Sequence, residues 1–155
     1  MRRFPLLLLC FSLPACGTLA QRATTTAPPK KAIVRTNEAP QPVGPYSQGV
    51  MANGFLFLAG QTGVNPQTRV LVQESMEAEA RQVMENLRAV LQAAGLDFRH
   101  VVKTTIYLTD LDNFGLVNQV YGSFFSGDPP ARETVQVVRL PGNARIEISM
   151  IAARE

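Results

Sequence analysis

The chain contains no tryptophan, one histidine and two cysteines. A single histidine, His100, cannot form a zinc site alone, and its ordinary reading is a polar residue at a strand entrance. Cys10 and Cys16 both lie near the N-terminus. Everything beyond them lacks a thiol nucleophile, a disulfide or a cysteine metal ligand, a composition that suits an oxidising compartment. Excess positive charge is scarce too. The chain carries 15 Lys and Arg against 12 Asp and Glu, but Arg2 and Arg3 belong to the N-terminal segment discussed next. Without those two the balance is 13 against 12, a net of +1. That charge, with no tryptophan to stack on bases, gives little support to nucleic-acid binding.

Residues 1–20 read as an export signal: Arg2-Arg3 supply the charged region, Phe4–Leu13 the apolar one, and small residues follow. At about ten residues the apolar run is too short to span a bilayer as a mature helix. Two processing sites compete. Leu13-Pro14-Ala15-Cys16 has the form of a bacterial lipobox with Cys16 as the lipidated residue, whereas Thr18-Leu19-Ala20 permits ordinary cleavage before Gln21. The preferred reading is a lipoprotein, exported to the periplasm or anchored to a membrane through Cys16 alone. Residues 21–31 have the Thr/Pro/Lys composition of a flexible linker. Residues 32–155 then form one domain, long enough for a proper core.

Within that domain the patterning predicts βββαβαββ. Ala32–Thr36 is a short strand, and a Pro/Gly-dense loop, Asn37–Pro45, follows. Tyr46–Ala52 and Phe55–Ala59 flank an Asn53-Gly54 hairpin turn. Apolar residues at Met76, Ala80, Val83, Leu87, Val90, Leu91 and Ala94 mark a helix over Glu74–Ala94 that Gly95 can close. Val101–Thr109 alternates as a strand with Val102, Thr104, Ile106 and Leu108 on one side. A second helix, Leu111–Phe125, carries Phe114, Val117, Tyr121 and Phe124 on its buried stripe, with Asp110 or Asp112 as cap and Asn118 beside the stripe. The last two strands, Thr134–Leu140 and Arg145–Ala153, read as a hairpin about a Pro141-Gly142-Asn143 turn.

This is an α+β arrangement, two helices on one face of a single mixed sheet. The other face bears Glu147, Ser149 and Ile151, too mixed for a solvated surface and too polar for a closed core. Burial against further copies of the chain resolves it, so the domain is expected to be an oligomer.

Three polar residues stand out near the end. Arg132 follows the stiff Pro129-Pro130 pair, Thr134 opens the first of the last two strands, and Glu147 points away from the apolar row Ile146, Ile148, Met150. A guanidinium and a carboxylate so placed can be a structural ion pair, the commoner arrangement, or a carboxylate clamp and a general base.

Six segments in order carry a resemblance: GPYSQGV (Gly44–Val50), AGQ with NP (Ala59–Gln61, Asn65-Pro66), VKTTIYLTDLDNFGLVN (Val102–Asn118), PAR (Pro130–Arg132), VRLP (Val138–Pro141) and IEI (Ile146–Ile148). Together they resemble the reactive intermediate deaminase family, the Rid or YjgF-type proteins. The resemblance implies a chorismate-mutase-like fold and a homotrimer with clefts between subunits. It implies hydrolysis of enamine and imine intermediates, such as 2-aminoacrylate and other 2-imino acids, to 2-keto acids and ammonia. By position, Arg132 matches the substrate-carboxylate arginine and Glu147 the acidic residue that orders the attacking water. Tyr46 and Asn118 match cleft-lining positions, with the backbone of Gly60 near the ligand. That chemistry requires no metal or cofactor.

The chain departs from the family twice: Ala59 stands where a serine is usual, and Thr134 where a cysteine is usual. Thr134 keeps a donor and acceptor of similar volume, positioning ligand without a thiol. These departures favour an alternative, a non-catalytic binder of small carboxylate metabolites on the same fold. A ribonuclease, a label attached to some relatives, would need the basic patch and stacking aromatics that the composition does not supply.

Overall fold

A computed structural model describes residues 30–154. The export signal, Cys16 and residues 21–29 of the linker fall outside the described residues. The elements are β1 (Ala32–Val34), β2 (Gly49–Ala52), β3 (Phe55–Thr62), α1 (Met76–Ala93), β4 (Val101–Leu108), α2 (Phe114–Gly122), β5 (Ala131–Gln136) and β6 (Ile146–Ala153). The six strands form one sheet in the order β1-β2-β3-β6-β4-β5. All neighbours are antiparallel except β4 and β5, which run parallel. The fold class is the expected one, a mixed sheet with both helices on one face.

Local chemistry explains most boundaries. Asn53 and Gly54 take φ of 50° and 80°, the left-handed pair that a two-residue turn needs to match strand twist. Ser75 caps α1 by accepting from the Ala78 N–H at 3.0 Å, and Gly95 at φ 72° ends it. The face of α1 carrying Val83, Met84, Leu87, Val90 and Leu91 is fully buried against Leu56, Ile146, Ile148 and Met150. Removing one such side chain, as in Leu87→Ala, costs about 2–5 kcal/mol. The N-terminal end of α1 is tied to β6 by the buried carboxylate of Glu79, which accepts from the Arg145 backbone N–H at 2.7 Å and from its Nε at 2.6 Å. Gly63 leaves room for Glu79: a Cβ there would lie 2.5 Å from Glu79 Cγ.

The last two strands correct the sequence reading. They do not form a hairpin. Pro141–Asn143 is indeed a tight turn, with Gly142 and Asn143 at φ of 64° and 60°. Yet β4 lies between β5 and β6, pairing with both. The first of the two strands also starts earlier than expected, so Arg132 lies inside it and Thr134 no longer opens it. In β4 the register slips between Val101 and Lys103. This bulge turns Val102 outward, 45% exposed, while Thr104, Ile106 and Leu108 point inward as expected. The second helix is shorter than expected, preceded by a 3-10 turn over Leu111–Asn113 with Asp110 accepting from the Asp112 N–H. Phe114 begins α2 but leaves the buried stripe at 41% exposure, whereas Val117, Val120 and Tyr121 are buried.

Candidate active site

Strand phase divides the predicted site residues into two groups. Arg132 and Thr134 pair across to Thr104 and Ile106, both fully buried toward the helices, so they face the helix side at the exposed edge of the sheet. Glu147 pairs with Tyr107 and Thr62 and faces the opposite, uncovered side. Two inter-strand steps separate β5 from β6, roughly 10 Å in the plane of the sheet. Within one protomer the two side chains therefore cannot grip one small molecule, and no ion pair joins them among the described residues. The structural ion-pair reading of Arg132 and Glu147 is thereby removed.

Arg132 of the first group borders a groove of about 450 Å³ lined also by Asn118, Tyr121, Gly122, Pro129 and Pro130. The Arg132 guanidinium lies over two aromatic rings, 5.0 Å from the centroid of Tyr121 and 5.7 Å from that of Phe114. It has no carboxylate partner among the described residues. Nearby, Asn118 Oδ1 and Thr134 Oγ1 are buried and without hydrogen-bond partners among the described residues. Two unpaired polar oxygens beside an unneutralised guanidinium are costly in an empty fold and useful in a site that receives a polar ligand. The tyrosine is itself fixed. Its hydroxyl donates to Thr104 Oγ1 at 3.1 Å, and burial raises its pKa.

The second group is built on a bulge in β3. Leu58 pairs with Met150 and Gln61 with Ile148, so Ala59 and Gly60 together stand opposite Ser149. The bulge turns their backbone out of the ladder beside Glu147. A side chain at Gly60 would displace Glu147, because an added Cβ would occupy the place of its carboxylate. Glu147 is half-buried, and the burial raises its pKa above the ordinary glutamate value. The segment that Tyr46 leads into runs along the bulge, with the Ala59 N–H donating to Gln48 O at 3.0 Å. Gln48, fully buried, pins that segment: its Nε2 donates to Thr36 O at 3.0 Å and Pro40 O at 2.9 Å, while its Oε1 accepts from Thr36 N at 2.8 Å. Tyr46 itself is 51% exposed.

Sequence reasoning placed Phe114 and Tyr121 in the core and missed them as the rings beneath Arg132. Their spacing with Asn118, four and then three residues apart, puts all three on one helix face and was the available signal. Gln48, too, was missed as the clamp behind Tyr46.

Residues 36–154 match the family model described as Endoribonuclease L-PSP. The chain is 53% identical to Protein DfrA of Myxococcus xanthus over 125 residues, 79% of this chain and 95% of that protein. It is 43% identical to the 2-iminobutanoate/2-iminopropanoate deaminase of Mus musculus over 122 residues, 79% of this chain and 90% of that one. The crystal structure of YyfA, a Rid-family protein of unknown function from Yersinia pestis, is similar with a TM-score of 0.78 at 43% identity, covering 80% of this chain and 99% of that one.

Proposed function

This chain belongs to the endoribonuclease L-PSP family, the Rid/YjgF/RutC group, and from that premise we propose that it is a hydrolytic deaminase. It converts 2-imino acids and their enamine tautomers to 2-keto acids and ammonia. The observation that carries the reading is the Arg132 guanidinium, free of any carboxylate among the described residues, set beside two buried oxygens with no partner of their own. A planar fork of donors suits a substrate carboxylate. The deaminase relative at 43% identity supports the reaction class.

Because the two groups of residues face opposite sides of one sheet, each cleft draws Arg132, Asn118 and Thr134 from one protomer and Tyr46, Gly60 and Glu147 from its neighbour, in a homotrimer. The uncovered sheet face supports this assembly, exposing Ile33, Phe55, Phe57 and Val135 at 41–47%. In the cleft Arg132 holds the carboxylate, which sets the adjacent imine carbon for attack. Glu147 takes a proton from water as the new C–O bond forms on the protonated imine and the C=N π pair moves to nitrogen, giving a tetrahedral carbinolamine. The same carboxyl group returns that proton to the amine nitrogen. The C–N bond then breaks, ammonia leaves with the bonding pair, and the C=O bond closes as the hydroxyl proton passes to the Glu147 carboxylate and on to the departing ammonia. A carboxyl whose pKa is raised by burial can serve both transfers.

The endoribonuclease description does not suit the surface. Arg81, Arg88, Arg99 and Lys103 are each paired with a carboxylate, from Glu77, Glu85, Asp97 and Glu133, leaving no basic stripe built from them. A second reading, a non-catalytic carboxylate binder, draws on Ala59 and Thr134, which remove a hydroxyl and a thiol usual in the family. Ammonia release from a freshly generated 2-imino acid separates the two. Acceleration over buffer that disappears in Arg132→Ala supports the deaminase; keto-acid binding without acceleration supports the binder. We also propose export, with Cys16 lipidated. Mass spectrometry of the mature N-terminus tests it: a free Gln21 terminus removes the lipid, and an intact Met1 terminus in the cytosol removes export.

A further inference from the structure

Arg132 sits on an edge strand, where one flank is open and a long side chain is ordinarily free to sample many rotamers. Here two rings restrict it, one of them tethered. The ring of Tyr121 lies 5.0 Å and that of Phe114 5.7 Å from the guanidinium carbon. The Tyr121 hydroxyl donates to Thr104 Oγ1 at 3.1 Å. Thr104 is in turn the register partner of Arg132 on the neighbouring strand. The contacts close a circuit: backbone of Arg132 to Thr104, Thr104 to the Tyr121 hydroxyl, Tyr121 ring to the guanidinium. Phe114 adds a second ring one helical turn back from Asn118. Neither ring offers a negative charge, so the guanidinium is oriented without being neutralised. A carboxylate from the protein in the same place would orient it too, but would compete with the ligand.

Building on the proposed role of Arg132 in binding the substrate carboxylate, we infer that Phe114 and Tyr121 are positioning residues that hold the plane of the arginine fork for its ligand. The two rings divide the task. Tyr121 is buried and its hydroxyl is tethered, so it sets the height of the guanidinium above the sheet. Phe114, 41% exposed in the protomer, presents its ring to the guanidinium from the start of helix α2. A preorganised fork loses less rotamer freedom when the ligand arrives, so the rings act on affinity, and through it on KM, with kcat spared.

The test titrates the full protein with 2-oxobutanoate by calorimetry and records the Arg132 Nε–H resonance of the unliganded protein by NMR. Phe114→Leu should bind about three- to fivefold more weakly, with an unchanged thermal midpoint and an Arg132 resonance that loses its ring-current shift. Phe114→Tyr should restore both. Tyr121→Phe keeps the ring and cuts the tether; it should broaden the Arg132 resonance and weaken binding by a similar factor. If Arg132→Ala abolishes binding while Phe114→Leu binds as tightly as wild type with the arginine resonance unmoved, the positioning role is wrong and the carboxylate clamp stands. If Arg132→Ala itself binds like wild type, the clamp fails and the inference falls with it.

Discussion

Glu147 is where the chemistry and the stability of the domain pull apart. Its pKa is raised by burial, so the folded state holds the proton more tightly than the unfolded chain does. The cost of the buried charge is absent below the unfolded glutamate value of about 4.3. It grows as pH rises from that value to the folded one and is full above it. Glu147→Gln should therefore raise the thermal midpoint at pH 7 and leave it unchanged near pH 4, while abolishing most turnover. Stabilisation by loss of a functional group is common in active sites. In wild type, kcat/KM should fall as pH drops, with its midpoint above the ordinary glutamate range, as the base takes up its proton. Thr134 is a different case. Its buried hydroxyl, unpaired among the described residues, predicts that Thr134→Val costs no more than about tenfold in rate, the worth of one hydrogen bond. A hydroxyl of high pKa is a poor unassisted nucleophile, so no covalent adduct on Thr134 should appear by intact mass, and iodoacetamide should leave the soluble domain active.

At the scale of elements, the bulge and the strand order were hidden from the sequence for one physical reason: pairing partners are non-local. The periodicity of α1, the cap at its end and the Asn53-Gly54 turn depend on residues a few positions apart and were legible. The pairing of β5 with β4 is not encoded near either strand. The Pro141–Asn143 turn is compatible with a hairpin, and only the insertion of β4 rules one out. The outward side of β6 was read correctly because alternation survives any pairing, whereas Val102 was misassigned because a bulge breaks alternation. For the same reason Arg132, Thr134 and Glu147 could be named from the sequence, while their placement on opposite faces could not. Two substitutions test the element-level account. Gly60→Ala forces the Glu147 carboxylate aside and should cost about a hundredfold in kcat, the scale of a 1 Å misplacement, with circular dichroism unchanged. Arg69 occupies the left-handed region at φ 61° on an exposed loop. Arg69→Gly should relieve about 1 kcal/mol of strain, read as a rise in thermal midpoint.

The whole molecule is defined by what one protomer leaves uncovered. The sheet face opposite the helices combines exposed apolar residues with a charged pair: Lys103 bonds to Glu133, whose other oxygen accepts from Thr105 at 2.5 Å. The bond from Lys103 lowers the pKa of Glu133. A face of this composition fits a packed but partly polar interface between copies. Light scattering on residues 31–155 should give three times the protomer mass at micromolar concentration. In the proposed assembly each site needs Arg132 from one chain and Glu147 from another, and mixing inactive variants tests this. Arg132→Ala and Glu147→Gln homotrimers, each inactive, are dissociated together in equal amounts and reassembled. About one site in four then pairs an intact Arg132 with an intact Glu147 across a head-to-tail interface, and ammonia release should return to roughly a quarter of wild type. Recovery of no activity from trimers shown by mass spectrometry to be mixed would contradict the account.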